Sequence, residues 1–219
     1  MRLRERYLQE LAALHADLKS LGELVITAIT RSVDALIQQT TDAAKQVVAD
    51  DQRIDQAESA LEEQVLIVMA TQQPIAGDLR RLVAAIEIAS ELERIGDYAK
   101  GIAKVIIRNA GLSQVAPPDD LAEMAQQAIA MLNEVLDAYV REDAAVGQRL
   151  AAADDRVDEL RKRIRAELIE LMQRDQAAVP AAVDLLFVAH YLERIADRTT
   201  NIAERIVFII SGEMIELNP

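Results

Sequence analysis

Apolar residues recur along this chain at helical spacing. Leu8, Leu11, Leu14, Leu18, Leu21, Val25 and Ile29 step by three and four residues, which gathers them on one helix face. No alternating, β-rich run competes with that pattern. The breaks are few: Pro74 with Gly77, Gly111, Pro117-Pro118-Asp119, the polar interval Arg174–Val179 before Pro180, and Asn218-Pro219. Prolines followed by an Asp read as a stop and then a helix start. The spacing predicts six helices, about 3–40, 42–72, 78–110, 119–148, 152–174 and 181–212, with room for a bend within Asp42–Asp55.

The two halves repeat. Asp51-Gln-Arg-Ile-Asp55 lines up with Asp154-Asp-Arg-Val-Asp158, offset by 103 residues. Leu92-Glu-Arg-Ile-Gly-Asp97 lines up with Leu192-Glu-Arg-Ile-Ala-Asp197, offset by 100, and Ile102-Ala103 with Ile202-Ala203. A three-helix unit, duplicated, explains this. The expected fold is all-α, two tandem three-helix bundles, residues 1–112 and 117–219, with the linker Gly111–Asp120 as the seam.

The third helix carries two lines. Ile88, Leu92, Ile95, Ala99, Ile102 and Ile106 form an apolar stripe. The second line starts apolar at Leu79, Val83 and Ile86, then turns polar at Ser90, Glu93, Asp97 and Gly101. The last helix does the same, from Val179, Val183 and Leu186 through His190 to Glu193, Asp197 and Asn201, beside the stripe Val188, Leu192, Ile195, Ile202 and Ile206.

Composition narrows the chemistry. Of 219 residues, 51% are hydrophobic but only 3% aromatic, so the core must be aliphatic. The net charge of −13 disfavours nucleic acid, whose phosphates it repels. There are no cysteines, which excludes thiol chemistry and Cys-bound metals. The start of the chain has no leader pattern, and no apolar stretch is long enough to span a bilayer, so a cytoplasmic protein is expected. P-loop, G-x-S-x-G and HExxH motifs are absent.

The acids are the candidate chemistry. Glu93 and Asp97, and Glu193 and Asp197, are helix-face neighbours that repel each other. The second helix adds Asp51, Asp55 and Glu58 on one line, and the fifth adds Asp154 and Asp158. If the pairs face each other, four carboxylates converge in each half, an oxygen-ligand cage for a cation. A lone E-x-x-x-D on a helix is usually a solvated face; recurrence at matched positions in both halves favours the cage. Arg94 and Arg194 are placed to neutralise neighbouring acids. His15 reads as a surface or edge residue and His190 as a packed one. Met69, Met124, Met131 and Met172 read as core filler.

At these residues the chain resembles the PhoU family over nearly its full length. The most specific pieces are Ala70-Thr-Gln-Gln-Pro-Ile-Ala-Gly-Asp-Leu-Arg80, Leu92-Glu-Arg-Ile-Gly-Asp97 and Tyr191-Leu-Glu-Arg-Ile-Ala-Asp-Arg-Thr-Thr-Asn-Ile-Ala-Glu-Arg205. The resemblance implies two similar three-helix bundles and metal clusters held by paired acids. Those are Asp51/Asp55 with Glu93/Asp97, and Asp154/Asp158 with Glu193/Asp197; the ion is iron, zinc, magnesium or manganese. It implies a regulator that represses the phosphate-starvation response. The implied partners are the phosphate ABC transporter, through its cytoplasmic ATPase subunit, and a sensor histidine kinase. It also implies a homodimer, with at most peripheral membrane association and no catalysis. Two other readings stand beside it: a metal-dependent hydrolase or oxidase, and a metal-free helical scaffold. The chain departs from the family after Asp97. Tyr98 and Lys100-Gly101 stand where members often carry His and Asn, and Ala196 and Arg198 differ in the second half, which keeps Asn201. Lys100 and Lys104 stand where they would compensate the first-half acids, which favours the second-half site.

Overall fold

A computed structural model describes residues 2–109, 115–213 and 216–217. The expected breaks at Gly111 and Asn218-Pro219, and the unit edge at 112, lie outside the described residues. Among the described residues seven α-helices follow one another: α1 Arg2–Ile37, α2 Thr41–Asp50, α3 Gln52–Gln72, α4 Gly77–Arg108, α5 Asp119–Arg141, α6 Val146–Arg174 and α7 Val179–Ser211. A 3-10 turn, Gln176–Ala178, leads into α7. Among the described residues there is no strand. The first bundle is α1, the α2–α3 pair and α4; the second is α5, α6 and α7.

The expected second helix is broken at Asp51, inside the predicted bend. The corner is shallow. Asp51 keeps right-handed helical angles, its N–H donates to the Val47 carbonyl, and its own carbonyl accepts from Ile54 and Asp55.

The larger differences fall between α5 and α6. α5 ends at Arg141 rather than 148, and α6 begins at Val146 rather than 152. Glu142 closes α5 in the left-handed conformation, φ 50°, without a glycine to mark the turn. The Asp143 carboxylate then accepts the Ala145 N–H at 3.0 Å, a local turn that leads into α6. At the other end of α6 the polar interval is short, and Pro180 fits the first turn of α7, where its missing N–H has no partner to lose.

The stripes become the core. Ile88, Leu92, Ile95, Ala99, Ile102 and Ile106 of α4 are buried, as are Val188, Leu192, Ile195, Ile202 and Ile206 of α7. On α1 the run from Leu11 to Ile29 is buried, but Leu8 is half exposed and Tyr7 takes the inward position. Met124 and Met131 fill the core as expected, and Met69 and Met172 pack at its edge.

α4 and α7 meet at the centre and run antiparallel. Contacts step down one helix and up the other: Arg80 to the Ile209 carbonyl, Glu87 to Arg205, Glu91 to Arg198, Tyr98 to Tyr191, and Arg108 to Asp184. Matched repeat positions meet twice at this crossing. Glu91 and Tyr191 correspond, as do Arg198 and Tyr98. One crossing is an ion pair at 3.2 Å, and its counterpart is a stack of two tyrosines. A second contact joins the halves where α1 packs on α5.

Candidate functional site

Each acid pair sits where its second line of residues rises out of the core. In the first repeat, Asp51 is at the α2–α3 corner and 5% exposed. Asp55 lies one turn along α3 and is exposed; Glu93 on α4 is half-buried and Asp97 exposed. In the second repeat, Asp154, Glu193 and Asp197 are half-buried and Asp158 is exposed.

The acids of each repeat act on one another's ionisation. Burial pushes the Glu93 carboxyl up to about 7, helped by the negative charges of Asp97, Asp55 and Glu58. Burial likewise pushes Asp154 up to about 6, with Asp197, Asp158, Asp155 and Glu193 adding to it. Asp197 is raised by burial, against the opposing charge of Arg194. Acids from two helices therefore feel one another in both halves.

Protein cations already reach into both clusters. The Lys100 ammonium bonds the buried Asp51 and lies 3.3 Å from Asp97. In the second repeat Arg161 bonds Glu193 at 2.6 Å and Arg194 bonds Asp197 at 2.7 Å. His190 is exposed rather than packed, because Glu193 draws its Nδ1 to 3.0 Å on the solvent side of α7. His15 is partly buried, with its ring edge-on to Tyr139 at 4.9 Å, and burial lowers its pKa.

An all-carboxylate donor set suits a hard cation. As placed, however, Asp51, Asp97, Glu193 and Asp197 turn toward these lysine and arginine partners. Among the described residues no three Asp, Glu or His side chains gather as a group that could hold a metal ion. The misfit is greatest at Asp51 and Asp97, where Lys100 stands between the two helices.

Three residues of the site were not singled out as partners from the sequence. Glu91 accepts from Arg198 and Asn201 across the seam between repeats. Arg161 replaces, on the repeat pattern, Glu58 of the first half. Tyr98 lies beside Arg194 and Arg198, whose guanidinium groups lower its pKa against the opposing effect of burial. The last was visible only as a departure from the family pattern.

This fold and its acid-lined repeat define a class, the helical proteins built from two tandem three-helix bundles. Within that class the chain belongs to the PhoU family: the PhoU domain matches it twice, at residues 18–106 and 121–206. A Clostridium acetobutylicum relative, named phosphate-specific transport system accessory protein PhoU homolog, is 35% identical over 98% of this chain and 99% of its own. A relative of the same name from Caulobacter vibrioides is 36% identical, covering 94% and 90%. The crystal structure of PhoU from Streptococcus pneumoniae superposes with a TM-score of 0.88 at 30% identity, over 96% of this chain and 99% of that one. PhoU from Pseudomonas aeruginosa gives 0.87 at 31%, over 94% and 100%. The names these relatives carry are those of accessory or regulatory proteins, not of enzymes. No helix among the described residues is long and apolar enough to cross a membrane.

Proposed function

We propose that this chain regulates phosphate uptake. It would act in the cytoplasm on the ATPase subunit of a phosphate ABC transporter and on a sensor histidine kinase, keeping the starvation response silent when phosphate is plentiful. The observation that carries this reading is similarity over almost the whole of both chains to proteins named for phosphate transport, with both PhoU domains present. The mechanism is differential contact: a bundle that binds one state of its partner better than another shifts that partner's equilibrium by the difference in affinity. The division into units 1–112 and 117–219 and assembly as a homodimer belong to the same proposal. Co-purification from cells grown in high phosphate tests it. The tagged chain should retain the transporter's ATPase subunit; retention no greater than with an unrelated acidic helical bundle would sink the reading.

A cation role is a second reading, supported by the crowding of carboxylates around Glu93 and Asp154, which adds to burial in raising their pKa. The ion would be iron, zinc, magnesium or manganese. Its ligands would come from Asp51, Asp55, Glu93 and Asp97, and from Asp154, Asp158, Glu193 and Asp197. Binding would require Asp51, Asp97, Glu193 and Asp197 to leave their present ion pairs.

A further inference from the structure

The two repeats are not neutralised alike, and the difference lies at one pair of matched positions. Position 100 is lysine in the first repeat; its counterpart is Thr200. Lys100 leaves α4 between the acid at the α2–α3 corner and the acid on its own helix. It bonds Asp51, whose side chain is 6% exposed, and reaches Asp97 at 3.3 Å. Thr200 cannot do this: its hydroxyl donates to the carbonyl of Asp197 in its own helix, at 2.7 Å. The cations of the second repeat approach from the solvent side instead. Arg161 and Arg194 are 44% and 36% exposed.

That difference decides which pairs can exchange. The second-repeat pairs join an arginine near solvent to an acid that is 16% or 27% exposed, against 6% for Asp51, so solvent screens them more and another cation displaces them more readily. Breaking a pair whose acid is buried leaves an uncompensated charge out of water, which is strongly unfavourable. Lys100 is also covalently attached, so its local concentration is not diluted as that of a free ion is.

We propose that the Lys100 ammonium permanently occupies the cation position between Asp51 and Asp97. Asp51 and Asp97 are then not metal ligands in this chain, and any exchangeable cation is held by the second repeat. This rests on the cation reading above and narrows it from two equivalent clusters to two unlike ones. Lys100 is a structural counter-ion that ties the α2–α3 corner to α4.

The test counts manganese. The full-length chain is stripped with chelator and titrated with Mn²⁺, bound ions being counted by electron paramagnetic resonance. Asp51→Asn should leave uptake unchanged, whereas Asp154→Asn should lower it. Lys100→Thr, which copies the second repeat, should gain one further ion per chain, and adding Asp51→Asn should remove that gain. Loss of uptake in Asp51→Asn alone would overturn the proposal, and this holds even if Lys100→Thr fails to fold. So would a folded Lys100→Thr that gains nothing. Uptake by the wild type together with either of those results sinks this inference and leaves the cation reading standing. No uptake by any of the proteins sinks the cation reading and this inference together.

Discussion

Tyr98 of α4 stacks on Tyr191 of α7 across the seam between the repeats, with ring centres 6.0 Å apart and planes inclined by 28°. The guanidinium groups of Arg194 and Arg198 of α7 lie close enough to the Tyr98 hydroxyl to lower its pKa. The first repeat's tyrosine is thus held by three residues of the second. Tyr98→Phe keeps the stack and removes the hydroxyl, and should cost about 1 kcal/mol in urea unfolding. Tyr191→Ala should cost more, about 3 kcal/mol, because it opens the stack and the surface over Gly101.

Gly96 faces Ile54, and a Cβ at position 96 would lie 3.0 Å from its Cδ1 and 3.2 Å from its Cγ2. The matched residues of the second repeat are Ala196 and Val157. One methyl has moved across the contact, so the side-chain carbons sum alike. Gly96→Ala alone overpacks the contact, which offsets its gain in helix propensity. Adding Ile54→Val should relieve it. A double-mutant cycle should show favourable coupling of at least about 0.5 kcal/mol. Additive effects would refute the exchange.

Glu142 joins the halves from a strained position. Its left-handed φ of 50° closes α5, and its carboxylate takes two bonds from Arg81 of the other repeat, at 2.7 and 3.1 Å. That guanidinium holds the Glu142 carboxyl below its usual range. The stability from this pair is therefore present above pH 4.5 and fades as pH falls through the lowered value. Glu142→Ala and Glu142→Gly both lose the clamp, but only alanine keeps the strain. Glycine should be the more stable of the two by about 1 kcal/mol in thermal unfolding.

Glu93 has the opposite sign. Its carboxyl titrates at about 7 in the folded chain against 4.5 unfolded, so the folded state binds the extra proton between those values. The contribution is full below pH 4.5 and is lost as pH rises through 7. Metal-free protein should lose stability over that window, and Glu93→Gln should flatten the loss. The expected gain at pH 8 is below about 1 kcal/mol, since solvent screens a half-exposed group. An unchanged pH profile in the variant would contradict the crowding of acids on α3 and α4.

Much of this was legible in the sequence because helical periodicity and duplication are properties of residue order. The stripes from Ile88 to Ile106 and from Val188 to Ile206 could be read directly, and so could the seven carboxylates that lie on the two repeated helix lines with Asp51 at the corner. The α5 end was not legible, because Glu142 adopts a conformation that glycine usually marks. Leu8 and Tyr7 exchanged places because both suit the same helix edge, and only packing decides between neighbours. The ion pairs were hidden for a different reason. Lys100 to Asp97 is a local spacing, but Arg161 to Glu193 and Lys100 to Asp51 depend on how two helices are rotated against each other.

The account as a whole rests on regulation of phosphate uptake. Its most direct test is a phosphate-starvation promoter fused to a reporter, in the native host lacking this chain and grown in high phosphate. The promoter should become active, and supplying the chain again should silence it. A promoter that stays silent without the chain would contradict the account.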